Sequence, residues 1–158
     1  MLTPLRPSDA DAMADVLGDE ALHGFTGGHP LGALELRRRY ERLVAGPDDP
    51  DESWLNWIVR RADDGAPIGT VQATVTGRAA EIAWVIGVPW QGHGYAGEAA
   101  AALVRWLLDR GLAVVTANIH PDHHASAGVA ARAGLSVTDE EVDGERVWRS
   151  KPHSSVFR

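Results

Sequence analysis

Chemistry first becomes legible in this sequence at a run of glycines between an apolar segment and an alanine-rich one. Trp84–Ala102 reads WVIGVPWQGHGYAGEAAAA, and its turn is Gln91-Gly92-His93-Gly94-Tyr95-Ala96. The turn puts almost no side-chain bulk between the residues that frame it. Such a loop feeding a helix start leaves backbone N–H groups unpaired and pointing the same way. With the positive end of the helix dipole, those groups bind phosphate oxygens. A lone Gly-x-Gly pair also occurs in ordinary strand-to-helix turns, so the pattern needs support from elsewhere in the chain.

A second reactive group follows in Ile119–Leu135, where His120, Asp122, His123 and His124 precede Ser126. Imidazoles titrate near neutrality and can take or give a proton. The same cluster raises the question of a metal, but its spacing lacks a convincing third ligand, and no metal is expected. The chain has no cysteine, which removes thiolate nucleophiles, thiolate metal sites and disulfides.

These residues must be placed by the surrounding elements. Leu2–Arg6 reads as a first strand, and Ser8 and Asp9 are candidate caps for a helix over Asp11–Leu17. Phe25–Pro30 lies in a glycine-rich break before a second helix, Leu31–Ala45. Its Arg37–Arg39 run reads as a solvated face paired with Glu35 and Glu41. Trp54–Ala62, Ile68–Thr76 and Ala79–Val88 read as an antiparallel meander, with Gly77-Arg78 suiting a type II′ hairpin. The third strand enters the glycine loop and a helix over Ala96–Arg110, ended by Gly111. That helix places Glu98, Arg105 and Asp109 on one face and Ala99, Leu103, Trp106 and Leu107 on another. Leu112–Ile119 is the natural parallel return strand. A helix over His123–Ala133 and a hairpin of Leu135–Glu141 with Arg146–Lys151 complete the pattern. Trp84, Trp106 and Trp148 are expected in the core, and Trp90 partly exposed. The expected fold class is α+β: a mixed, mostly antiparallel central sheet flanked by helices, in the order βαα-βββ-α-β-α-ββ. One domain over residues 1–152 and a polar tail over 153–158 are expected.

The chain has 158 residues, 44% apolar and 23% charged, with a net charge of −7. That suits one domain with a real core. The acidic balance argues against a general nucleic-acid binder and weakly favours a cationic acceptor such as an amine. The N-terminal residues carry no signal-like apolar core, and no segment approaches membrane-spanning length, so a cytoplasmic location and no membrane partner are expected.

With the order of elements in place, the two reactive blocks together resemble the GNAT superfamily of acyl-CoA N-acyltransferases. Its pyrophosphate signature, Gln/Arg-x-x-Gly-x-Gly/Ala, is matched by Gln91, Gly94 and Ala96. Its later block, Pro-x-Asn-x-x-Ser-x-x-Val-x-x-x-x-Gly-Phe/Leu, is matched by Pro121, Ser126, Val129, Gly134 and Leu135, with His123 where Asn is usual. In flavour the chain is similar to the branch containing ribosomal-protein alanine N-acetyltransferases. The motif match is specific over about Glu81–Leu135.

The resemblance implies an acetyl-CoA-dependent N-acetyltransferase acting on a small-molecule amine or a protein N-terminus by direct attack on the thioester. Such a reaction needs an aligned carbonyl, a stabilised tetrahedral oxyanion, a neutral amine and a protonated leaving thiolate. By resemblance, Trp84, Val85 and Ile86 align the acyl group, with Gly87 bending the strand away from its neighbour to open a slot. Gly92, His93, Gly94, Tyr95, Ala96 and Gly97 wrap the pyrophosphate, with His93 where relatives often carry Arg or Lys. His123 takes the pantetheine-contacting position. Ser126 is the proton donor to the thiolate or, equally, a helix-capping or pantetheine-binding residue. Glu81 is the first choice for general base, through water, or else a solvent-facing residue beside Arg78; His120 and His123 are alternatives. Asn118 stands where some relatives carry a Glu base, and Ala130 where some carry a Tyr acid. Phe25–Pro30, Trp54 and Trp57 are expected to face the acceptor. The oligomeric state stays open, with a homodimer compatible with the resemblance. The rival readings are a catalytically quiet acyl-CoA-binding module and a nucleotide-phosphate enzyme. The second lacks the Lys-Ser/Thr that should follow its glycines.

Overall fold

A computed structural model of the chain describes residues 1–24 and 28–152. Seven strands form one sheet in the order β1-β2-β3-β4-β5-β7-β6. They are β1 (Leu2–Pro4), β2 (Glu52–Arg60), β3 (Pro67–Thr76), β4 (Ala79–Ile86), β5 (Val114–Ile119), β6 (Leu135–Val142) and β7 (Glu145–Ser150). Every neighbouring pair is antiparallel except β4 with β5. The helices are α1 (Ala10–Val16), α2 (Ala33–Ala45), α3 (Tyr95–Asp109) and α4 (His124–Arg132). The expected α+β class, element order and mixed sheet are those of the structure.

The period-two pattern of the strands divides the core in two. Val71, Ala73, Ala80, Ile82, Val115, Ala117 and Ile119 face Ala99, Leu103 and Leu107 of α3 and Ala130 of α4. On the opposite face, Ile58 packs with Leu5, Met13, Val16, Leu36 and Tyr40 beneath α1 and α2. Each fully buried leucine or isoleucine of this set stabilises the fold by roughly 1.5–3 kcal/mol. Trp90 touches both clusters from its place before the glycine loop.

The turns follow their residue chemistry. Gly77 has φ +60° at the first central position, which a type II′ turn requires. Asp143 and Gly144, at φ 51° and 82°, both turn left-handed to close β6 on β7. Asp9 does not cap α1: its carboxylate accepts from the Arg6 N–H at 2.8 Å and from Arg60 at 3.2 Å, fixing the short turn before the helix.

Two expectations are corrected. Trp106 is 38% exposed rather than in the core. It sits at the edge of the α3 apolar stripe, meets Trp57 edge-on with ring centroids 5.5 Å apart, and is covered by the Arg110 guanidinium. Gly87 is also not where β4 leaves its neighbour. β4 and β5 pair only over Ala79–Glu81 with Val114–Thr116, so they part well before Gly87, which still donates to Ile68 O at 2.8 Å. Glycine is needed at 87 for another reason. A Cβ there would lie 2.8 Å from both the Trp90 ring and the Val16 carbonyl oxygen.

Candidate active site

The parting of β4 and β5 opens a cavity. Beyond Glu81, the edge of β4 that faces β5 has no strand partner, so its backbone groups are open to a ligand. The cleft there holds about 990 Å³ and runs from the glycine loop, past Trp84–Ile86 and Ser126, to the walls made by α2 and the segment around His29.

At one end, the loop is shaped by two left-handed glycines, Gly92 at φ 79° and Gly94 at φ 84°. Gln91 holds the loop to the strand, its side-chain amide donating to Ile86 O at 2.9 Å. Helix α3 begins at Tyr95 with Gly94 as its N-cap, and no side chain caps its first turn. Its leading amides and the positive helix end therefore face the cleft without an internal acceptor. Arg132, from the last turn of α4, reaches back and donates to Gly94 O at 3.2 Å. A Cβ on Gly94 or Gly97 would collide with that side chain, so both glycines make room for the guanidinium. These features fit an anionic pyrophosphate: fixed N–H donors, a helix N-terminus and one permanent cation.

In the middle of the cleft, Ser126 accepts from the Trp84 indole N–H at 3.3 Å. An indole nitrogen only donates, so this bond uses a lone pair of the hydroxyl and leaves its proton for a partner other than Trp84. The Ser126 backbone N–H donates to His123 Nδ1 at 3.2 Å, which caps α4. His123 Nε2 also lies 3.3 Å from Ser126 Oγ. The two nitrogens of one ring diverge, and the backbone bond, whose donor is fixed, sets the ring's direction.

The family model described as "Acetyltransferase (GNAT) domain" matches residues 1–136. The chain belongs to the GNAT acetyltransferase family. Its fold is shared by solved structures of low sequence identity. A ribosomal-protein alanine acetyltransferase from Vibrio fischeri is 17% identical with a TM-score of 0.78, over 98% of this chain and 93% of that one. The aminoglycoside acetyltransferase AAC(6')-Ib, solved with coenzyme A, is 17% identical with a TM-score of 0.75, over 97% and 94% of the two chains. An acetyltransferase from Agrobacterium tumefaciens is 24% identical with a TM-score of 0.73, over 95% and 89%. No curated protein sequence matches the chain.

On this GNAT scaffold the cleft brings together Trp84, Val85, Ile86, Gln91, Gly92, Gly94, Tyr95, Ala96, Gly97, His123 and Ser126. His93 and Glu81 stand apart from its wall. His93 is exposed, with Nδ1 directed at the Gln91 and Trp90 carbonyl oxygens at 2.9 and 3.2 Å and its ring stacked near Tyr95. Glu81 is exposed too, and among the described residues its carboxylate meets only Asn118 Nδ2, at 3.5 Å; Asn118 lines the cleft. His120 is on the wall, its Nδ1 accepting from the Asp122 N–H at 3.1 Å. Ala130 is buried in the core. Among the described residues no group of three His, Asp or Glu side chains is arranged to hold a metal ion.

The acceptor-facing expectations change most. Phe25, Thr26 and Gly27 lie outside the described residues, while Gly28 and His29 line the cleft and Pro30 borders a smaller recess beside it. Trp54 and Trp57 are not on the wall. Strand alternation turns Trp57 to the α3 side, and the Trp54 indole donates to Glu52 at 2.8 Å. Asn56, Thr70 and Gln72 line the cleft instead. Sequence reasoning also missed Arg39, Tyr40 and Arg132. For Arg132 the signal was a lone arginine in an alanine-rich helix. Arg37–Arg39 are exposed as expected, but among the described residues they form no ion pair with Glu35 or Glu41. Burial pushes the Tyr40 phenol up to about 12, Arg39 pulls it back and Asp9 adds to the rise.

Proposed function

We propose that this chain is an acetyl-CoA-dependent N-acetyltransferase whose acceptor is a primary amine, either a small molecule or a protein N-terminus. One observation carries the reading: a single cleft joins the unpaired edge of β4, the uncapped start of α3 and the Ser126 hydroxyl. Acetyl-CoA brings the thioester that the amine attacks. The α3 amides with Gly92, Gly94 and Arg132 hold its pyrophosphate, and the open edge of β4 over Trp84–Ile86 aligns its acyl arm. A backbone N–H of that edge faces the charge that develops on the thioester oxygen. Ser126 gives its proton to the departing thiolate. Glu81 stands behind Asn118 and acts on the amine only through water; His120, on the wall itself, is the alternative base.

The lack of a carboxylate beside Ser126 also suits a quiet acyl-CoA-binding module. Thiol release from acetyl-CoA in the presence of an amine panel separates the two readings. The transferase reading expects acceptor-dependent release together with the N-acetylated product. Tight CoA binding without release for any amine or peptide would establish the binding module.

A further inference from the structure

The sign of charge inside the cleft opposes that of the whole protein. The molecule carries −7, yet among the described residues the cleft wall has two arginines and a single carboxylate, Glu145. Arg132 is committed to the glycine loop through Gly94 O, which leaves Arg39 as the permanent charge on the acceptor wall.

Arg39 makes no ion pair among the described residues. Its neighbour Tyr40, on the same cleft lining, is 3% exposed, and its phenolic oxygen, closed to solvent, has no hydrogen-bond partner among the described residues. The guanidinium is close enough to act on that phenol electrostatically. The nearby carboxylate of Asp9 is already engaged by Arg60 and the Arg6 N–H. The acceptor wall thus offers a planar, always-charged fork, and Asn56, Thr70 and Gln72 line the same cleft.

We infer that the acceptor is an amine that also carries a carboxylate, which Arg39 receives. This rests on the acetyltransferase reading and narrows it to amino acids and short peptides with a carboxylate within reach of the amine. Polyamines, which bring only positive charge to this wall, are excluded as preferred acceptors.

The test compares the free acid and the carboxamide of each protein amino acid, with a set of dipeptides and spermidine, as acceptors with acetyl-CoA. A charge-assisted bond to a carboxylate predicts a kcat/KM preference for the acid of about tenfold or more. The Arg39→Gln variant brings that ratio to near one by raising KM for the acid. Arg37→Gln and Arg38→Gln, on the same exposed helix run but off the wall, keep the ratio. Amino acids outperforming dipeptides, or the reverse, reads how far the carboxylate stands from the amine, and either supports the inference. Equal use of acid and amide, or a preference for spermidine, overturns it.

Calorimetry decides the matter without turnover, by titrating N-acetyl amino acids and their amides into the CoA-bound protein. Selective binding of the acids that is lost in Arg39→Gln supports the carboxylate site even if no thiol is released. Indifference between acid and amide overturns the site even if acetyl transfer proceeds.

Discussion

Ser126 shows how much a single neighbour decides about a hydroxyl. A serine in the first turn of a helix can cap, bind ligand or move a proton, and the residue type does not choose among these. The Trp84 indole narrows the choice. It donates to Oγ, so the hydroxyl proton faces a partner other than Trp84. Ser126→Ala is expected to lower kcat on the order of a hundredfold while CoA affinity stays nearly intact. Trp84→Phe keeps an aromatic ring but deletes the N–H, and is expected to lower kcat about tenfold, the worth of one such bond. Combined with Ser126→Ala it should cost nothing further, because the two substitutions remove one interaction. Steady-state kinetics with acetyl-CoA as the varied substrate check all three. A parallel loss of CoA binding in Ser126→Ala would make the serine a cofactor ligand.

At the scale of the element, the glycine loop and α3 act as a unit, because the loop backbone can turn only where glycine allows it. Gly94 has φ 84°, a conformation that costs a side-chain-bearing residue about 1–2 kcal/mol and a β-branched one more. Any Cβ there would also lie 2.9 Å from the Arg132 guanidinium. Gly94→Val is therefore expected to abolish CoA binding by calorimetry while leaving a folded circular-dichroism spectrum. Retained affinity would move the pyrophosphate to another place. The strands and helices were legible because their apolar periods are strong: β5 and α3 differ from expectation only at their ends. The strand alternation of β2 was the element-scale failure. Aromatic type suggested that Trp54 and Trp57 face the acceptor, but the pleat puts Asn56 on the cleft wall.

At the scale of the whole molecule, the sheet is held by two cores that meet around Trp90. The cleft opens between strands that pair with different neighbours: β4 stays with β3, and β5 with β7. A ligand bridging β4, α3 and α4 ties these halves together, so it should stabilise the native state by mass action. At a CoA concentration a hundred times its dissociation constant, the gain is about 2.7 kcal/mol, or roughly 5–10 °C in Tm for a domain of this size. Differential scanning calorimetry with and without CoA checks it; no shift at saturation would place CoA outside the cleft.

The sequence by itself determined what depends on neighbours along the chain. The glycine loop follows from residues that permit positive φ, the element order from apolar periodicity, and Ser126 at the head of α4 from the helix start around it. Only the tertiary structure decided what depends on residues far apart in sequence. It set Glu81 behind Asn118, turned His93 to the loop carbonyls, and brought Arg132 back across to Gly94. It also placed Arg39 and Tyr40 on the cleft wall. The reason is physical: backbone conformation is set locally, whereas the direction and electrostatic surroundings of a side chain are set by whatever packs against it.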